Sequence, residues 1–410
     1  MSNSEFTARI RFISKLGLSL HDCGASSHRI GKHLTKLSKI LGIHGDYLIA
    51  PTSITCVYWK DDPSDQTIII KRAHPGGGDL GRLEQLDSLI EQFQSHKLNF
   101  QEMSESLDEV LDRPKFYGQF VGGCSWMVAS FFFSTLLSRS SYDACVASFT
   151  SLIIFYLLDF CSKRERFDNL TEIIATAISG IIISIVASFN IPINIPFCIL
   201  SSIIVLIPGL SFSVALNEIA SRELISGTCR FVDAVMSLLK LYLGALIGVG
   251  LGSLIFTNAD TNSLHSIQNL PTWIIWPALV MLATSITVAF NIHPKFLFWC
   301  LLSSIIAFVV SLYGTMYFNQ TTGILLGAFA VGIYSNLFAN ILNYPASMVL
   351  TTGIIFLVPG SKTYIILNTW ITGEQMVRGT ENATQAFLIS ISLVGGLLLS
   401  NAIVPTQKSL

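Results

Sequence analysis

Two Pro-Gly steps inside apolar segments are the residues of this chain best suited to chemistry. The stretch 204–209 reads Ile-Val-Leu-Ile-Pro-Gly, and it returns at 355–360 as Ile-Phe-Leu-Val-Pro-Gly. Proline removes a backbone donor and clashes with the preceding turn, while glycine loosens the chain, so each helix should break there. A helix that restarts after a break presents unpaired N–H groups and a positive dipole end, which suit a carboxylate.

Polar side chains accompany both breaks and make the two predicted sites chemically unequal. They are Ser211, Ser213, Asn217 and Glu218 after Pro208 and Gly209, and Lys362, Thr363 and Asn368 after Pro359 and Gly360. An acid inside an apolar helix usually faces a cavity, so Glu218 could exchange a proton or pair with an ammonium group. The alternative for Glu218 is an interfacial ion pair with Arg222, four positions later. Lys362 could attract an anion or extend its ammonium to a membrane surface.

A third set of polar residues lies on one face of the apolar segment 229–257. Asp233, Ser237 and Lys240 lead into glycines at 244, 248 and 252. Glycines four positions apart let a neighbouring backbone approach closely. The Asp233–Lys240 pair could form a buried ion pair or a proton route, and the structural role is favoured. Asp143, Asp159 and Glu172 fall at the ends of apolar segments and are expected to be interfacial.

Ten apolar segments must position these residues. The chain has 410 residues, of which 51% are hydrophobic and only 12% charged, and most charges precede residue 116. A membrane-spanning helix needs about 20 mostly apolar residues. The predicted spans are 116–137, 142–160, 171–189, 196–220, 229–257, 272–290, 294–314, 322–341, 345–371 and 383–404.

The two Pro-Gly motifs belong to an internal repeat. An offset of 151 positions separates Pro208 from Pro359 and also Glu223 from Glu374. Each motif falls in the fourth span of a five-span half, so the second half enters the membrane with opposite polarity and the repeat is inverted. In secondary transporters, matched Gly/Pro interruptions in the two halves indicate a substrate site at the midplane. The predicted fold is an all-α polytopic membrane protein with a 5+5 inverted-topology repeat of Pro-Gly-broken helices.

The predicted domains are a cytosolic unit over 1–115 and five-helix membrane repeats over 116–258 and 272–405. No signal-peptide pattern occurs in residues 1–20, so the first unit is expected to stay in the cytoplasm. Lys and Arg are retained in cytoplasmic loops. Inner loops then hold Lys163, Arg164, Arg166, Arg222, Arg230 and Lys295, and outer loops hold Arg139 and Arg378. Lys408 places the C-terminus inside, and the expected location is the inner (plasma) membrane.

The first 115 residues predict a small α+β domain. Helical periodicity at 6–20 and 27–41 indicates a hairpin in which Gly24 ends one helix and Ser26 caps the next. Alternating patterns at 47–59 and 66–72 predict strands, and helices follow near 80–95 and 99–111.

Other motifs in the chain carry weaker signals. Residues 76–81 match GxGxxG formally, but no βαβ unit surrounds them, so a flexible connector is favoured. His21, Asp22, His28 and His33 lack a spaced partner set, which favours a solvated helix face over a metal or hydrolytic site. Eight scattered cysteines without a CxxC pair predict free thiols, with neither disulfides nor zinc. No cofactor is indicated, and a net charge of −1 gives no reason to expect a nucleic-acid partner.

The chain resembles the threonine/serine exporter family over nearly its whole length. Residues 24–29 resemble the family's N-terminal SGA-x-x-x-R pattern, with Cys23 in place of serine. Residues 207–210 and 224–227 resemble its first broken-helix motif, and residues 357–360 its second. Relatives often carry Arg-Asp where this chain has Asn217 and Glu218. The resemblance implies export of threonine or serine driven by a proton gradient, and some relatives are associated with dicarboxylates instead.

The leading hypothesis is a proton-coupled exporter of small hydroxy amino acids, with the protons, the lipid bilayer and a small amino acid or carboxylate as partners. Substrate is bound by the residues around the two breaks, and Glu218, Asp233 and Lys240 serve proton coupling. The alternative transporter is a dicarboxylate exporter. A third hypothesis, a membrane-anchored hydrolase or sensor, needs far fewer than ten spans, so no enzyme activity is expected. The sequence leaves open the identity of the substrate, the coupling ion and whether the chain forms a homo-oligomer.

Overall fold

The computed structural model describes residues 2–60, 62, 64–73, 78–95, 97–164, 167, 170–220, 222–255, 270–342, 344–357 and 376–405. The first domain consists of α1 (Asn3–Asp22), α2 (Ser27–Ile40), β1 (His44–Ala50), β2 (Ser53–Trp59), β3 (Thr67–Arg72), α3 (Leu80–Gln94) and α4 (Phe100–Asp112). The three strands form an antiparallel sheet in the order β1-β2-β3. The predicted α+β class of this domain is confirmed.

The sheet corrects one sequence prediction. The alternating stretch 47–59 is two strands rather than one, because the chain turns at Pro51 and pairs Ala50 with Ser53. Proline has no N–H to give to a ladder and favours the turn. Alternate residues of β2, including Ile54 and Tyr58, pack inward against α1 and α2 and form the domain core with them.

The helix boundaries of this domain follow ordinary end signals. Gly24 has a φ of +86°, a left-handed conformation that glycine adopts without steric cost, and it separates α1 from α2. Asn99 and Glu102 form a reciprocal capping box at the start of α4. Ser26 occupies the N-cap position of α2 as predicted, but its side chain makes no capping hydrogen bond.

The rest of the chain is helical where it is described. Its first half comprises α5 (Gln119–Ser138), α6 (Ser141–Ser162), α7 (Thr171–Ser188), α8 (Ile195–Ser202), α9 (Gly209–Ala220) and α10 (Leu224–Ile255). The second comprises α11 (Ile275–Ala289), α12 (Leu297–Tyr317), α13 (Gln320–Leu342), α14 (Ala346–Ile355) and α15 (Met376–Ile403). A short 3-10 helix lies between α8 and α9, and others precede α11 and α12.

Seven helices among the described residues are long and apolar enough to cross a membrane. The predicted span 196–220 is not one of them, because its helix is divided into α8 and α9. The predicted span 345–371 begins as α14, and its remainder lies outside the described residues. Leu388–Ile403, within α15, is an apolar stretch too short for the same criterion. The molecule is therefore a mostly helical membrane protein, and the count of ten spans stays a prediction.

Two pairs of element bounds in the two halves have the offset found in the sequence. The starts of α8 and α14, Ile195 and Ala346, are 151 positions apart, and so are the ends of α5 and α11, Ser138 and Ala289. In addition, α9 of the first half packs against α14 and α15 of the second. The segment after the first break therefore lies against the second half of the chain.

The glycines of α10 perform the predicted structural role. A Cβ on Gly244 or Gly248 would lie 2.4 or 2.2 Å from a carbonyl oxygen of α7, and one on Gly252 would lie 2.4 Å from the Ser184 side chain. Small residues at these positions let two apolar helices pack at backbone distance. The close approach of α7 and α10 is confirmed, and these contacts show that the two helices run parallel.

Candidate functional site

The first Pro-Gly step breaks its helix as predicted. After α8 ends at Ser202, a 3-10 turn and an extended residue, Ile207, lead into α9, which begins at Gly209. Proline at position 208 cannot donate a helical hydrogen bond, and it accepts one from the N–H of Phe212. Ser211, in the first turn of α9, is exposed. The start of α9 therefore has the donor-rich geometry expected of a helix N-terminus.

The remaining predicted binding residues divide into two groups. Ser213 and Asn217 belong to α9, but their side chains are outside the part of the chain that the structure describes. Pro359, Gly360, Lys362, Thr363 and Asn368 all lie outside the described residues. Helix α14 ends at Ile355, four positions before the second proline. The roles of all these residues stay predictions.

Glu218 occupies the far end of α9, where it lies against the first domain. Its side chain is 1% exposed. The backbone N–H of Ser27 donates to Oε1 at 2.9 Å, the hydroxyl of Ser226 donates to Oε2 at 2.8 Å, and Nε of Arg230 is 3.2 Å from Oε2. The carboxylate thus joins α9, α10 and α2 in one buried polar cluster, which we call the Glu218 cluster.

Further contacts complete the Glu218 cluster. The hydroxyl oxygens of Ser27 and Ser226 are 2.6 Å apart. Since Ser226 gives its single proton to the carboxylate, Ser27 is the donor between them. Arg230 also donates to the backbone carbonyl of Ala25 at 3.3 Å. Glu218, Ser27, Ser226 and Arg230 each contact at least two other residues of this network. Removal of one therefore leaves buried polar groups short of partners.

Local structure explains why the cluster forms. Arg222, with a φ of +66°, turns the chain between α9 and α10, and the N–H of Glu223 donates to the carbonyl of Glu218. Gly227 lets the two helices meet, because a Cβ there would lie 2.6 Å from the Ile219 side chain and 2.9 Å from the Ala215 carbonyl oxygen. This close approach carries the neighbouring residue, Ser226, to the carboxylate.

The carboxylate of Glu218 also makes the N-terminal hydrogen bond to α2 that the Ser26 side chain does not make. Ser27 is the first residue of α2, and its N–H is one of the donors that no helical carbonyl satisfies. A side chain from a distant part of the sequence accepts that hydrogen bond. Its negative charge lies at the positive end of the α2 dipole, where anions are stabilised. Helix α2 is therefore capped from outside its own domain.

The alternative prediction, an ion pair between Glu218 and Arg222, names the wrong cation. Arg222 is exposed in the turn, and Arg230 supplies the cation from the next helix. Sequence reasoning missed Ser27, Ser226 and Arg230 as site residues. A signal existed, because Ser27 and Ser226 lie in the stretches 24–29 and 224–227, which carry the family resemblance.

Asp233 and Lys240 are not partners. Asp233 is exposed, whereas the ammonium of Lys240 lies 3.2 Å from the carboxylate of Glu172 in the first turn of α7. The predicted Asp233–Lys240 ion pair is therefore wrong. Helix α10 packs on α7 through the face that bears Lys240, and this places Glu172 within reach.

A second contact region joins the first domain to the loop between α11 and α12. Asn291 donates to Asp79 at 2.9 Å, and Lys295 lies 3.1 Å from Glu84. The N–H of Leu80 donates to the carbonyl of Phe290, and a Cβ on Gly81 would lie 2.1 Å from the Asn291 carbonyl oxygen. The Gly81 position of the formal GxGxxG match thus serves close packing. The domain therefore contacts both halves of the chain.

The histidines of the first domain are dispersed. His21 is buried in α1, and Asp22 is exposed. His28 lies 3.6 Å from Glu223, across the interface. His33 lies 3.7 Å from Asp87, to which Arg29 also donates. Burial, reinforced by Arg29, lowers the pKa of His33 from 6.5 to about 3.

Two family models match this chain. The threonine/serine exporter family model matches residues 11–252, from α1 into α10, and a second model, described as "Threonine/Serine exporter, ThrE", matches residues 277–403. The residues of the Glu218 cluster all fall within the first match. No solved structure matches the chain.

Fungal membrane proteins are similar at low identity. Pheromone-regulated membrane protein 10 of Eremothecium gossypii is 23% identical over 93% of this chain and 53% of its own length. The proteins of that name from Saccharomyces cerevisiae and Candida glabrata are 24% and 23% identical, over 95% and 97% of this chain and 51% of their own lengths. The chain thus spans about half the length of these relatives. Because the first family model alone covers more than half of its residues, the chain belongs to the threonine/serine exporter family.

Proposed function

We propose that this protein is a secondary active exporter of small hydroxy amino acids, threonine and serine, driven by the proton gradient. The observation that carries the proposal is the match of exporter models to both halves of the chain, with a broken helix at the first Pro-Gly step. Transport proceeds by alternating access between two inverted five-helix repeats, in which one repeat rocks against the other. The starts of α8 and α14, which are 151 positions apart, support this arrangement.

The substrate carboxylate binds the N–H groups at the start of α9. The break at Pro208 and Gly209 creates this helix start. Ser211 and Ser213 contact the substrate hydroxyl and ammonium groups, and Asn217 contributes from further along α9. Pro359, Gly360, Lys362, Thr363 and Asn368 provide the corresponding groups of the second half. The packing of α9 against α14 and α15 supports a site shared by the two halves.

Glu218 provides proton coupling in this proposal. In its ionised form it accepts hydrogen bonds from Ser27 and Ser226 and pairs with Arg230, and so it fastens the cytosolic domain to α9 and α10. Protonation removes the charge that holds Arg230 and the α2 N-terminus. The inner face can then open for substrate, and loss of the proton closes it again. Asp233 and Lys240 lie further along α10 and extend the proton route toward Glu172.

The proposed orientation places both the first domain and the C-terminus on the cytoplasmic side of the inner (plasma) membrane. The excess of Lys and Arg in the loops on that side supports it. The Glu218 cluster, which joins the first domain to α9 and α10, then lies on the cytoplasmic side as well.

A flux assay tests the proposal. Purified protein in liposomes is offered labelled threonine, serine or succinate under an imposed pH gradient. We expect threonine and serine flux that follows the gradient and collapses when an ionophore dissipates it. Absence of flux for all three solutes contradicts the transport proposal.

A paired variant tests the coupling residue. Glu218→Gln should uncouple or abolish flux, whereas Glu223→Gln, five positions on and half exposed, should leave it within about twofold of the wild type. Gradient-driven flux that survives Glu218→Gln would remove Glu218 from the coupling step, though not the exporter assignment.

The second candidate is a dicarboxylate exporter. Where relatives often carry Arg-Asp, this chain has Asn217 and Glu218, and this loss of a cation alters the charge at the far end of α9. Lys362 and the helix N-termini would then carry substrate recognition. Gradient-driven succinate flux without threonine or serine flux would favour this function.

A further inference from the structure

One buried acid among the membrane helices has no role in the mechanism proposed above. Asp143, in the first turn of α6, is 0% exposed, although its place at the end of an apolar segment predicts an interfacial side chain. Among the acidic residues that the structure describes after position 115, only Asp143 and Glu218 are buried. Burying a charged carboxylate is costly, and an ionisable residue within a membrane-spanning segment is a candidate functional residue by default.

The carboxylate of Asp143 holds the start of α8. Its Oδ1 accepts a hydrogen bond from the backbone N–H of Asn194 at 2.9 Å. Asn194 in turn caps α8, because its side-chain oxygen accepts a hydrogen bond from the N–H of Phe197 at 3.0 Å. The Sγ of Cys198, one turn along α8, is 3.6 Å from the same Oδ1. Asp143 on α6 thus fixes the helix that leads into the first Pro-Gly break.

Asp143 and Glu218 lie at opposite ends of this broken helix. The hydroxyl oxygens of Ser202, at the end of α8, and Ser179, in the middle of α7, are 2.7 Å apart, and only six residues connect α7 to α8. Helix α8 therefore starts beside the end of α7. Glu218 precedes α10 by six positions, and α10 runs parallel to α7, so Glu218 lies on the side where both helices begin. The two carboxylates are separated by about the length of α7, whose 18 residues extend about 27 Å.

Few other charges surround Asp143. Helices α5, α7 and α8 pack against α6. Helices α5 and α8 contain no Asp, Glu, Lys, Arg or His, and the one acid of α7, Glu172, pairs with Lys240 at the far end. Cys198 faces Asp143 from α8, and Arg139 lies four positions before it, in the turn between α5 and α6. In these four helices and this turn, the charge at this end comes from Asp143 and Arg139, so a proton bound to Asp143 changes it substantially.

We propose that Asp143 is a second proton-binding residue of the transport cycle, which takes up the coupling proton at the end of the membrane helices opposite Glu218. The proposal rests on the proton-coupled export proposed above. A hydronium ion on that side gives its proton to the carboxylate and leaves as water. The proton then passes through water in the transport site to Glu218, which releases it into the cytoplasm. Protonation also replaces a charge-assisted hydrogen bond to Asn194 with a weaker neutral one, so it loosens the start of α8 from α6.

The test compares two assays of the full chain in liposomes. One measures threonine flux driven by a pH gradient, and the other measures exchange of labelled for unlabelled threonine at equal pH on both sides. Asp143→Asn keeps an oxygen that can accept the Asn194 N–H, but it cannot bind the coupling proton. We expect its gradient-driven flux to fall about tenfold or more and its exchange to stay within about twofold of the wild type. A residue that only holds α8 in place would lower both.

Two further variants serve as controls. Asp159→Asn removes a half-buried acid near the other end of α6, where Asp159 pairs with Lys163, and it should change neither assay. Asp143→Glu keeps a carboxylate that can bind a proton, and it should retain gradient-driven flux. The comparison of Asp143→Glu with Asp143→Asn separates loss of the proton site from damage to the fold.

Two results would overturn the proposal. They are gradient-driven flux in Asp143→Asn equal to that of the wild type, and an equal loss of driven flux and exchange in that variant. A wild-type protein that moves no threonine in either assay would overturn the exporter function together with this proposal. The failure of Asp143 as a proton-binding residue is therefore distinguishable from the failure of the exporter function.

Discussion

At the scale of single residues, Glu218 combines an ion pair, a hydroxyl contact and a helix cap in one buried carboxylate. Ser27 approaches it from the start of α2, and Ser226 and Arg230 approach it from the first turns of α10. Burying a charge is costly unless such partners compensate it. Removing any one of these partners therefore leaves the buried charge incompletely compensated.

Replacing the cation of the cluster should destabilise the interface. Arg230→Gln leaves the Glu218 carboxylate buried without a counter-charge, and loss of one partner of a buried ion pair costs about 3–5 kcal/mol. We expect the first thermal unfolding transition of the detergent-solubilised chain to fall by several degrees. Arg222→Gln, an exposed arginine of the same hairpin, is the control and should change little. Equal shifts for the two variants would contradict a specific role of Arg230.

His33 should make the stability of the first domain dependent on pH. Its folded pKa of about 3 lies below the ordinary value of 6.5, so between these values the unfolded chain binds more protons. Stability is then full above about pH 6.5 and declines as the pH falls toward 3. Arg29, Lys32 and Lys36 oppose protonation of the folded form, and Asp87, already engaged by Arg29, compensates only in part.

The measurement compares wild type with His33→Gln, whose side chain does not titrate. The melting temperature of the wild type should fall more steeply between pH 7.5 and pH 5 than that of the variant. Parallel pH profiles would show that His33 does not carry the effect.

At the scale of elements, adjacent glycines in α15 provide a matched comparison. A Cβ on Gly396 would lie 2.5 Å from the carbonyl oxygen of Leu325 in α13, whereas on Gly395 the nearest atom is 4.0 Å away. Gly396→Ala should therefore force α13 and α15 apart and lower the melting temperature. Gly395→Ala should be neutral or slightly stabilising, since alanine favours helix by up to about 1 kcal/mol. The reverse order of stability would show that this helix pair packs differently.

Much of the element structure follows from the sequence. Long apolar segments predicted α5, α6, α7, α11, α12 and α13 closely, and Pro208 predicted the helix break, because these features depend on local composition and backbone geometry. The single strand at 47–59 was wrong, since periodicity alone does not reveal a two-residue turn. The ion pair of Lys240 with Glu172 was missed as well, because it depends on how two helices pack.

The Glu218 cluster lay beyond local reasoning for the same reason. Ser27 and Glu218 are 191 positions apart in the chain, and periodicity and capping rules describe neighbours within a few turns. The polarity of Ser27, Ser226 and Arg230 is unremarkable by itself. Only the docking of the first domain on α9 and α10 gives these residues a shared function.

At the scale of the whole molecule, the first domain contacts both halves of the chain. Glu218 and Arg230 provide the contact with the first half, and Asn291 and Lys295 provide the contact with the second. If one repeat rocks against the other during transport, a rigid domain held by both must release at least one contact. The domain therefore takes part in the proposed transport cycle.

A reversible crosslink tests this participation. The hydroxyl oxygens of Ser27 and Ser226 are 2.6 Å apart, so cysteines at both positions lie within reach of a disulfide. We expect oxidation of Ser27→Cys/Ser226→Cys to stop flux in liposomes and reduction to restore it, because the domain can no longer leave α10. The flux of each single cysteine variant should be the same before and after oxidation. Full activity of the crosslinked chain would show that this contact stays closed throughout transport.

The capping of α2 by Glu218 has a consequence for how this molecule can be observed. The amide proton of Ser27 is protected by a carboxylate that belongs to another domain, so its exchange with deuterated water reports the docking of the two domains rather than the fraying of a helix end. A single backbone position can thus serve as a natural reporter of the closed state. It requires no label, and its exchange rate can be followed while solute and pH are varied.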